Sequence, residues 1–123
     1  MYCFRTIDEP SGLTFTSTVR PGGVRVVTLV GDIDAATVGT LDEALATGER
    51  LVVDLTRVAF LSCAGVRSLL DAHARTRVAV VVGGHAVTRS LEATGADLLL
   101  EIHPGVGAAI ADLTPVPEPG REA

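Results

Sequence analysis

Two short, almost wholly apolar runs, each followed by a helical pattern, constrain the fold of this chain more than any other feature. They read LVVDL at 51–55 and VAVVV at 78–82. Such runs are typical of parallel strands that are covered on both faces. After the first run, Val66 and Leu69 repeat at the spacing of one helix face. Strands that alternate with helices in this way predict a mostly parallel sheet with right-handed crossovers.

The rest of the chain extends this pattern at both ends. LTFTSTV at 13–19 alternates apolar and polar residues, and an RPGG turn separates it from VRVVTLVG at 24–31. These two segments predict an antiparallel hairpin. We expect Asp34 to cap the next helix and Gly48 to end it. The other predicted features are the stripe of that helix at Val38, Leu41 and Leu45, a helix over Val87 and Leu91 ending at Gly95, a strand at 98–102, and a helix over Val106, Ala109, Ile110 and Leu113.

The predicted order of elements is β-β-α-β-α-β-α-β-α. It describes an α/β fold: a mixed, mostly parallel sheet of about five strands, with an N-terminal β-hairpin and four helices. A length of 123 residues suits one domain. We place that domain at 13–113, after a lead-in at 1–12 and before a tail at 114–123. The tail has three prolines in ten residues, so we expect it to be disordered.

The composition argues against several classes of function. A net charge of -5 and an aromatic content of 3% disfavour binding to nucleic acid or to an anionic membrane. All ten basic residues are arginine, which excludes a Schiff-base lysine and a P-loop. The N-terminus lacks a signal-peptide core and no run approaches a membrane span, so we expect a cytoplasmic protein. Neither the two cysteines nor the three histidines have metal-ligand spacing, so we expect no metal and no cofactor.

FLSCAGVRSLL at 60–70 marks the candidate site, because a thiol lies at the predicted start of a helix. Ser62 is the candidate N-cap residue. The first N–H groups of a helix lack partners within it and, together with the helix dipole, favour an anion. Three interpretations of Cys63 stay open: a small, half-buried packing residue, a contact with a partner, or a redox switch with Cys3 as the resolving thiol.

Other reactive side chains have ordinary structural interpretations. Asp32 and Asp34 could pair for acid–base or metal chemistry, but an N-cap and a charge at a strand end explain them as well. Asp54 lies at a predicted strand end, as does the phosphorylated aspartate of receiver domains, which also need a lysine that this chain lacks. The glycines of VVGGHA at 81–86 fit a helix entry, and His73 fits a partly buried structural position. No Ser-His-Asp or Cys-His arrangement indicates an enzyme.

Three stretches of the chain together resemble the STAS domain family, and more closely the bacterial anti-sigma factor antagonists. They are LVGDIDAAT at 29–37, LVVDLTRVAFLSCAGVRSLLDAHAR at 51–75, and the strand–helix pairs that follow. The resemblance runs from about Leu13 to Leu113. It implies a STAS-like fold and a protein, not an enzyme, that binds and sequesters an anti-sigma factor, an ATPase-fold protein kinase, and so frees a sigma factor. It would act as a monomer or a weak homodimer.

The chain departs from the family at the phosphorylation loop. The antagonists usually have Asp-Ser-Ser/Ala-Gly there, and the first serine is phosphorylated by the anti-sigma factor. Here Cys63 stands at that serine's position, so we expect binding without the usual phosphorylation switch. Ser62 is a displaced phosphoacceptor in an alternative interpretation, but one residue turns a side chain by about 100° on a helix. The resemblance implies a partner-binding surface of Asp32, Asp34, Thr37, Ser62, Cys63, Ala64, Gly65, Arg67, Ser68 and Asp71.

A rival function within the same family stays open. The chain could be a STAS subunit that regulates a transporter, or a subunit of a larger sensory assembly. The identity of the captured partner distinguishes these functions.

Overall fold

A computed structural model describes residues 12–47 and 49–114 and shows one five-stranded sheet with four α-helices, which confirms the predicted fold class. Most of the predicted lead-in and tail, Cys3 and Gly48 lie outside the described residues. The first helix ends at Leu45, with Ala46 as its C-cap residue, and so stops before the position predicted at Gly48. The elements are β1 Thr14–Arg20, β2 Val24–Ile33, α1 Val38–Leu45, β3 Arg50–Leu61, α2 Cys63–Arg75, β4 Val78–Val81, α3 His85–Thr94, β5 Glu101–His103 and α4 Val106–Leu113.

The strands lie in the order in which they occur along the chain, from β1 to β5. β1 and β2 pair antiparallel, as the hairpin pattern predicted, and the other three pairings are parallel. Gly22 and Gly23 form the turn of the hairpin with φ angles of 99° and 85°, a region that glycine enters without strain. The parallel strands place the loops after β2 and β3 at one edge of the sheet.

Helices cover the sheet on both faces. Helices α1, α2 and α3 pack on one face of the sheet and form with it a large aliphatic core, which includes Leu29 and Val53 of the strands. Helix α4 packs on the opposite face, where Ala109 and Leu113 meet a smaller cluster that includes Val52. Among residues 12–47 and 49–114, no polar or charged side chain is buried. The core is therefore held by aliphatic packing, and the polar chemistry of the described chain lies at its surface.

Strand β3 is longer than its apolar run predicted, since it continues from Leu55 to Leu61. Its pairing with β2 shifts register twice, between Thr28 and Val30 and between Gly31 and Asp32. The start predicted for α2 implies that the strand before it ends at Phe60-Leu61, and β3 does end at Leu61. The register shifts break the alternation of inward and outward side chains along the added residues. The prediction that Asp54 lies at a strand end is therefore wrong.

The last strand lies at 101–103 and not at 98–102, where the sequence pattern predicted it. Gly95 ends α3, as expected, in a left-handed conformation with φ of 76°. A 3-10 turn follows over Ala96–Leu98, and it leaves Leu98 exposed. Three consecutive leucines after Gly95 resemble a buried strand, but the turn directs Leu98 and Leu99 into solvent.

Candidate partner-binding surface

The loops after β2 and β3 are joined directly at the edge of the sheet. Ile33 and Leu61, the last residues of these strands, are partners in the parallel pairing. Just beyond them, the N–H of Ser62 donates to the carbonyl oxygen of Ile33 over 2.8 Å. The predicted residues at 32–37 and those at 62–71 therefore belong to one continuous surface.

The loop after β2 is closed by side-chain hydrogen bonds. Asp34 Oδ1 accepts from the N–H groups of Ala36 at 2.9 Å and of Thr37 at 3.0 Å. The Thr37 hydroxyl donates to the carbonyl oxygen of Asp32 at 2.8 Å and accepts from the N–H of Asp34 at 2.9 Å. These bonds hold the loop in one shape, so little conformational entropy remains to be lost on binding.

Asp34 does not cap α1, contrary to the prediction. The helix begins at Val38, and the N-cap residue is Thr37. Asp34 instead bonds N–H groups two and three residues further on, the local turn that aspartate side chains favour and that competes with capping.

The start of α2 matches the prediction for Ser62. Ser62 is extended, with φ of -82° and ψ of 170°, and its Oγ accepts from the N–H of Gly65 at 3.3 Å. It is therefore the N-cap residue. Cys63 is the first residue of α2, and its side chain is exposed. The interpretation of Cys63 as a half-buried packing residue is wrong.

Gly65 lies beneath this surface. It is buried, and a Cβ placed on it would come within 2.6 Å of Ile33 Cγ2 and of Leu61 Cδ1. A side chain at position 65 would therefore press into the core before it reached a partner. Glycine lets the first turn of α2 approach the ends of β2 and β3, and this approach places the exposed residues of the turn.

An open groove of about 620 Å³ lies between α1 and α2. Five of the predicted residues line it: Cys63, Ala64, Arg67, Ser68 and Asp71. Val38 and Asp42 of α1 form the other wall. Asp42 was not predicted, although its position four residues after Val38 places both on one face of a helix. The predicted residues of α2 thus line one concave surface, which α1 completes.

Two exposed apolar residues next to the loops were also missed. Phe60 is 47% exposed and Val30 is 42% exposed. Phe60 is the pairing partner of Asp32, one position before the paired Ile33 and Leu61. Val58 and Leu61 are both buried, and the irregular register between them turns Phe60 outward.

The other reactive residues are explained by their local contacts. Asp54 accepts from the N–H and hydroxyl of Thr56, at 3.0 and 2.7 Å. Gly83 packs closely on the same threonine, since a Cβ added to Gly83 would stand 3.3 Å from the Cβ of Thr56. His73 Nδ1 accepts from the N–H of Val78 at 3.2 Å, which supports the structural interpretation of this histidine.

A cluster outside the groove joins Glu101, His103 and Asp112, whose side-chain ligand atoms lie within 4.8 Å of one another. Arg77 bridges the two carboxylates, with Nη2 at 2.6 Å from Glu101 Oε1 and 3.2 Å from Asp112 Oδ2. The hydrogen bond from Arg77 is the main cause that lowers the pKa of Glu101. The Arg77 guanidinium pairs with both carboxylates, so the cluster is an ion-pair network that fastens β5 and α4 to Arg77.

No α-helix in residues 12–47 and 49–114 has the length and apolar character needed to cross a membrane.

Comparisons with known proteins agree with this fold. A family model of the STAS domain matches residues 16–109. An anti-sigma factor antagonist from Mycobacterium paratuberculosis is 29% identical, with a TM-score of 0.77 over 85% of this chain and 96% of that one. No curated protein matches the sequence.

Two more distant structures share the fold alone. A Thermotoga maritima protein that was proposed as an anti-sigma factor antagonist is 15% identical, with a TM-score of 0.68 over 80% of this chain and 93% of that one. The anti-sigma factor antagonist SpoIIAA in its unphosphorylated form is 14% identical, with a TM-score of 0.59 over 80% of this chain and 96% of that one.

Proposed function

The chain belongs to the STAS domain family, and from that premise we propose that it is an anti-sigma factor antagonist: it binds and sequesters an anti-sigma factor and thereby frees a sigma factor. The observation that carries the proposal is the likeness to the mycobacterial antagonist, which extends over 96% of that chain. The partner is an ATPase-fold protein kinase, the complex forms in the cytoplasm, and the chain acts by binding and not by catalysis.

The charge and shape of the joined loops support this mode of action. The carboxylates of Asp42 and Asp71 line the groove, and Arg67 is the one cation among the residues that line it. Such a surface favours a partner with a basic rim and disfavours acidic surfaces. Binding lowers the concentration of free anti-sigma factor, so sigma factor is released by mass action.

The groove also supports binding without the serine switch of the relatives. Cys63 is exposed on the groove, and the family resemblance aligns it with the serine that is phosphorylated in the antagonists. A thiol does not form the stable phosphoester that a serine hydroxyl forms. Ser62 lies one residue before that position, and its oxygen accepts from the N–H of Gly65 as the cap of α2. We therefore expect the partner to phosphorylate neither Ser62 nor Cys63.

Affinity capture from the native host, followed by mass spectrometry, tests the proposal. The bait is the full chain, with Ser68→Arg as the blocking variant, because Ser68 lines the groove and an arginine would fill it. Ser90→Arg is the matched control, because Ser90 is also a half-buried serine on a helix but lies on α3.

We expect wild type and Ser90→Arg to capture an ATPase-fold protein that Ser68→Arg does not capture. A transporter complex or a large sensory assembly as the specific partner contradicts the proposal. So does an ATPase-fold protein that all three baits retain equally, because it would bind elsewhere on the chain.

A further inference from the structure

Phe60 is exposed, although a globular protein usually buries a large aromatic side chain. The described residues contain two aromatic side chains, Phe15 and Phe60. Phe15 packs against the main core, whereas Phe60 is 47% exposed. Exposed apolar residues scattered singly are common on proteins, so exposure alone decides nothing. The residues around Phe60 show whether it belongs to a larger exposed patch.

Phe60 does not stand alone. Its pairing partner on β2 is Asp32, and Val30, two residues before Asp32, lies on the same face of that strand. Ile33 and Leu29 alternate with them and are buried in the main core, so Val30, Asp32 and Phe60 lie on the opposite face. We call these three residues the outer patch. Helix α4 packs on the other half of this face, against Val24, Val26, Val52, Ala79 and Val81.

The outer patch is continuous with the loops that line the groove. Asp32 begins the hydrogen-bonded loop, because its carbonyl oxygen accepts from Thr37. Phe60 lies two residues before Ser62, the N-cap residue of α2. The groove and the outer patch therefore lie on opposite faces of the sheet and meet at the carboxyl ends of β2 and β3. We call this shared boundary the rim.

The charges near the patch indicate what would cover it. Arg57, the pairing partner of Val30, is exposed, and Asp32 is the pairing partner of Phe60. On the groove side, the carboxylates of Asp42 and Asp71 lie with the guanidinium group of Arg67. A covering surface would therefore combine an apolar pocket for Phe60 with basic side chains opposite the carboxylates.

We propose that the anti-sigma factor spans this rim, and that Phe60 is the principal anchor of the complex, inserted into an apolar pocket of the partner with Asp32 paired to a basic residue at the edge of that pocket. This inference rests on the proposed function and adds a contact residue on the face of the sheet that the phosphorylation loop does not occupy. Aromatic residues that fill a pocket beside charged pairs are the usual hot spots of protein interfaces.

The test measures the affinity of the captured ATPase-fold partner for Phe60→Ala and for a control. Phe60→Ala should weaken binding by about 30-fold or more, the usual effect of truncating a hot spot. Leu98→Ala is the matched control, because Leu98 is an even more exposed apolar residue, at 85%, in the 3-10 turn before β5. It should bind within about twofold of wild type, as expected of a residue outside the interface.

A spectroscopic variant keeps the test independent of folding losses. The chain has no tryptophan, so Phe60→Trp labelled with 5-fluorotryptophan carries a single fluorine reporter. We expect its 19F resonance to shift on addition of the partner and the same label at position 98 to stay unchanged. Wild-type affinity for Phe60→Ala, or an unshifted resonance at position 60 in the complex, overturns the proposal.

The outcomes separate this inference from the proposed function. If no ATPase-fold partner binds the wild type, the function itself fails. If the partner binds wild type and Phe60→Ala equally, only the anchor fails. A change from dimer to monomer in Phe60→Ala with unchanged partner binding assigns the patch to a second copy of the chain. A 19F shift caused by deleting residues 1–11, and none caused by the partner, assigns it to that segment.

Discussion

Gly65 and Ile33 approach so closely that a Cβ on Gly65 would stand 2.6 Å from Cγ2 of Ile33. Ile33 is the last residue of β2 and is fully buried, while Gly65 lies in the first turn of α2. The same two segments share the hydrogen bond from Ser62 to Ile33. The position of the candidate surface is therefore determined by core packing beneath it.

We expect Gly65→Ala to lower the free energy of unfolding by about 1–3 kcal/mol, the usual cost of forcing an extra carbon into a packed core. Gly39→Ala is the control, because Gly39 also lies in a helix and nothing stands within 4 Å of its added Cβ. That variant should be as stable as wild type or slightly more stable. Urea unfolding of the three proteins decides the matter, and equal midpoints for Gly65→Ala and wild type would contradict the packing.

The second prediction concerns the lost phosphoacceptor. With ATP and the captured partner, wild type should gain no phosphate, whereas Cys63→Ser should gain one at position 63. Cys63 is exposed and begins α2, where free N–H groups favour an anion. Intact-mass and peptide mass spectrometry give the answer, with Cys63→Ala as the blank. Strong phosphorylation of wild type at Ser62 would show that the partner accepts the displaced serine.

A third prediction addresses the open redox interpretation of Cys63. Because its side chain lines the groove, alkylation with N-ethylmaleimide or oxidation by peroxide adds bulk or charge where we expect the partner to bind. The affinity of treated wild type should fall, and reductant should restore the oxidised sample. Cys63→Ala keeps Cys3 and should be insensitive to both reagents. Equal losses in the two proteins would assign the effect to Cys3.

The fourth prediction follows from the Arg77 network. Arg77 lowers the pKa of Glu101 below its usual value of 4.5. The folded state therefore stabilises the charged form of this carboxylate relative to the unfolded chain. The stability it contributes is fully present above the unfolded pKa and is lost as pH falls through the lower folded pKa.

Glu101→Gln should therefore lower the stability at pH 7 by at most about 1 kcal/mol, the range for partly exposed ion pairs. The difference from wild type should shrink as the pH falls below about 4. Thermal unfolding at pH 7 and pH 3 measures both effects. Glu92→Gln provides the baseline, since residues 12–47 and 49–114 give Glu92 no ion-pair partner. A constant difference across this range would contradict the assigned pKa shift.

The fold could be predicted from the sequence because each main feature has a local signal. The runs at 51–55 and 78–82 indicate parallel strands that are buried on both faces, and the RPGG turn indicates the hairpin. The predictions that were wrong concern features that depend on pairing between distant segments. The outward turn of Phe60 comes from the irregular register of β2 and β3, which neither strand shows alone. The actual position of β5 depends on the 3-10 turn after Gly95.

The candidate site was predicted in part for the same reason. Ser62 as N-cap has a local signal, as does the helix face at Arg67 and Asp71. Asp42 joins the groove only because α1 packs beside α2, and Asp34 bonds its own loop where a helix cap was expected. The contacts of Arg77 with Glu101 and Asp112 span 24 and 35 residues of sequence, so no spacing pattern reveals them.

The release of sigma factor tests the central claim most directly. The captured ATPase-fold partner is purified in complex with its sigma factor, and the full chain is titrated into that complex while free sigma factor is measured by size-exclusion chromatography. We predict release that rises with the concentration of the chain and is complete at saturation, with Ser68→Arg inactive and Ser90→Arg active. Sigma factor that stays bound to its partner at saturating concentrations of the wild-type chain would contradict the account.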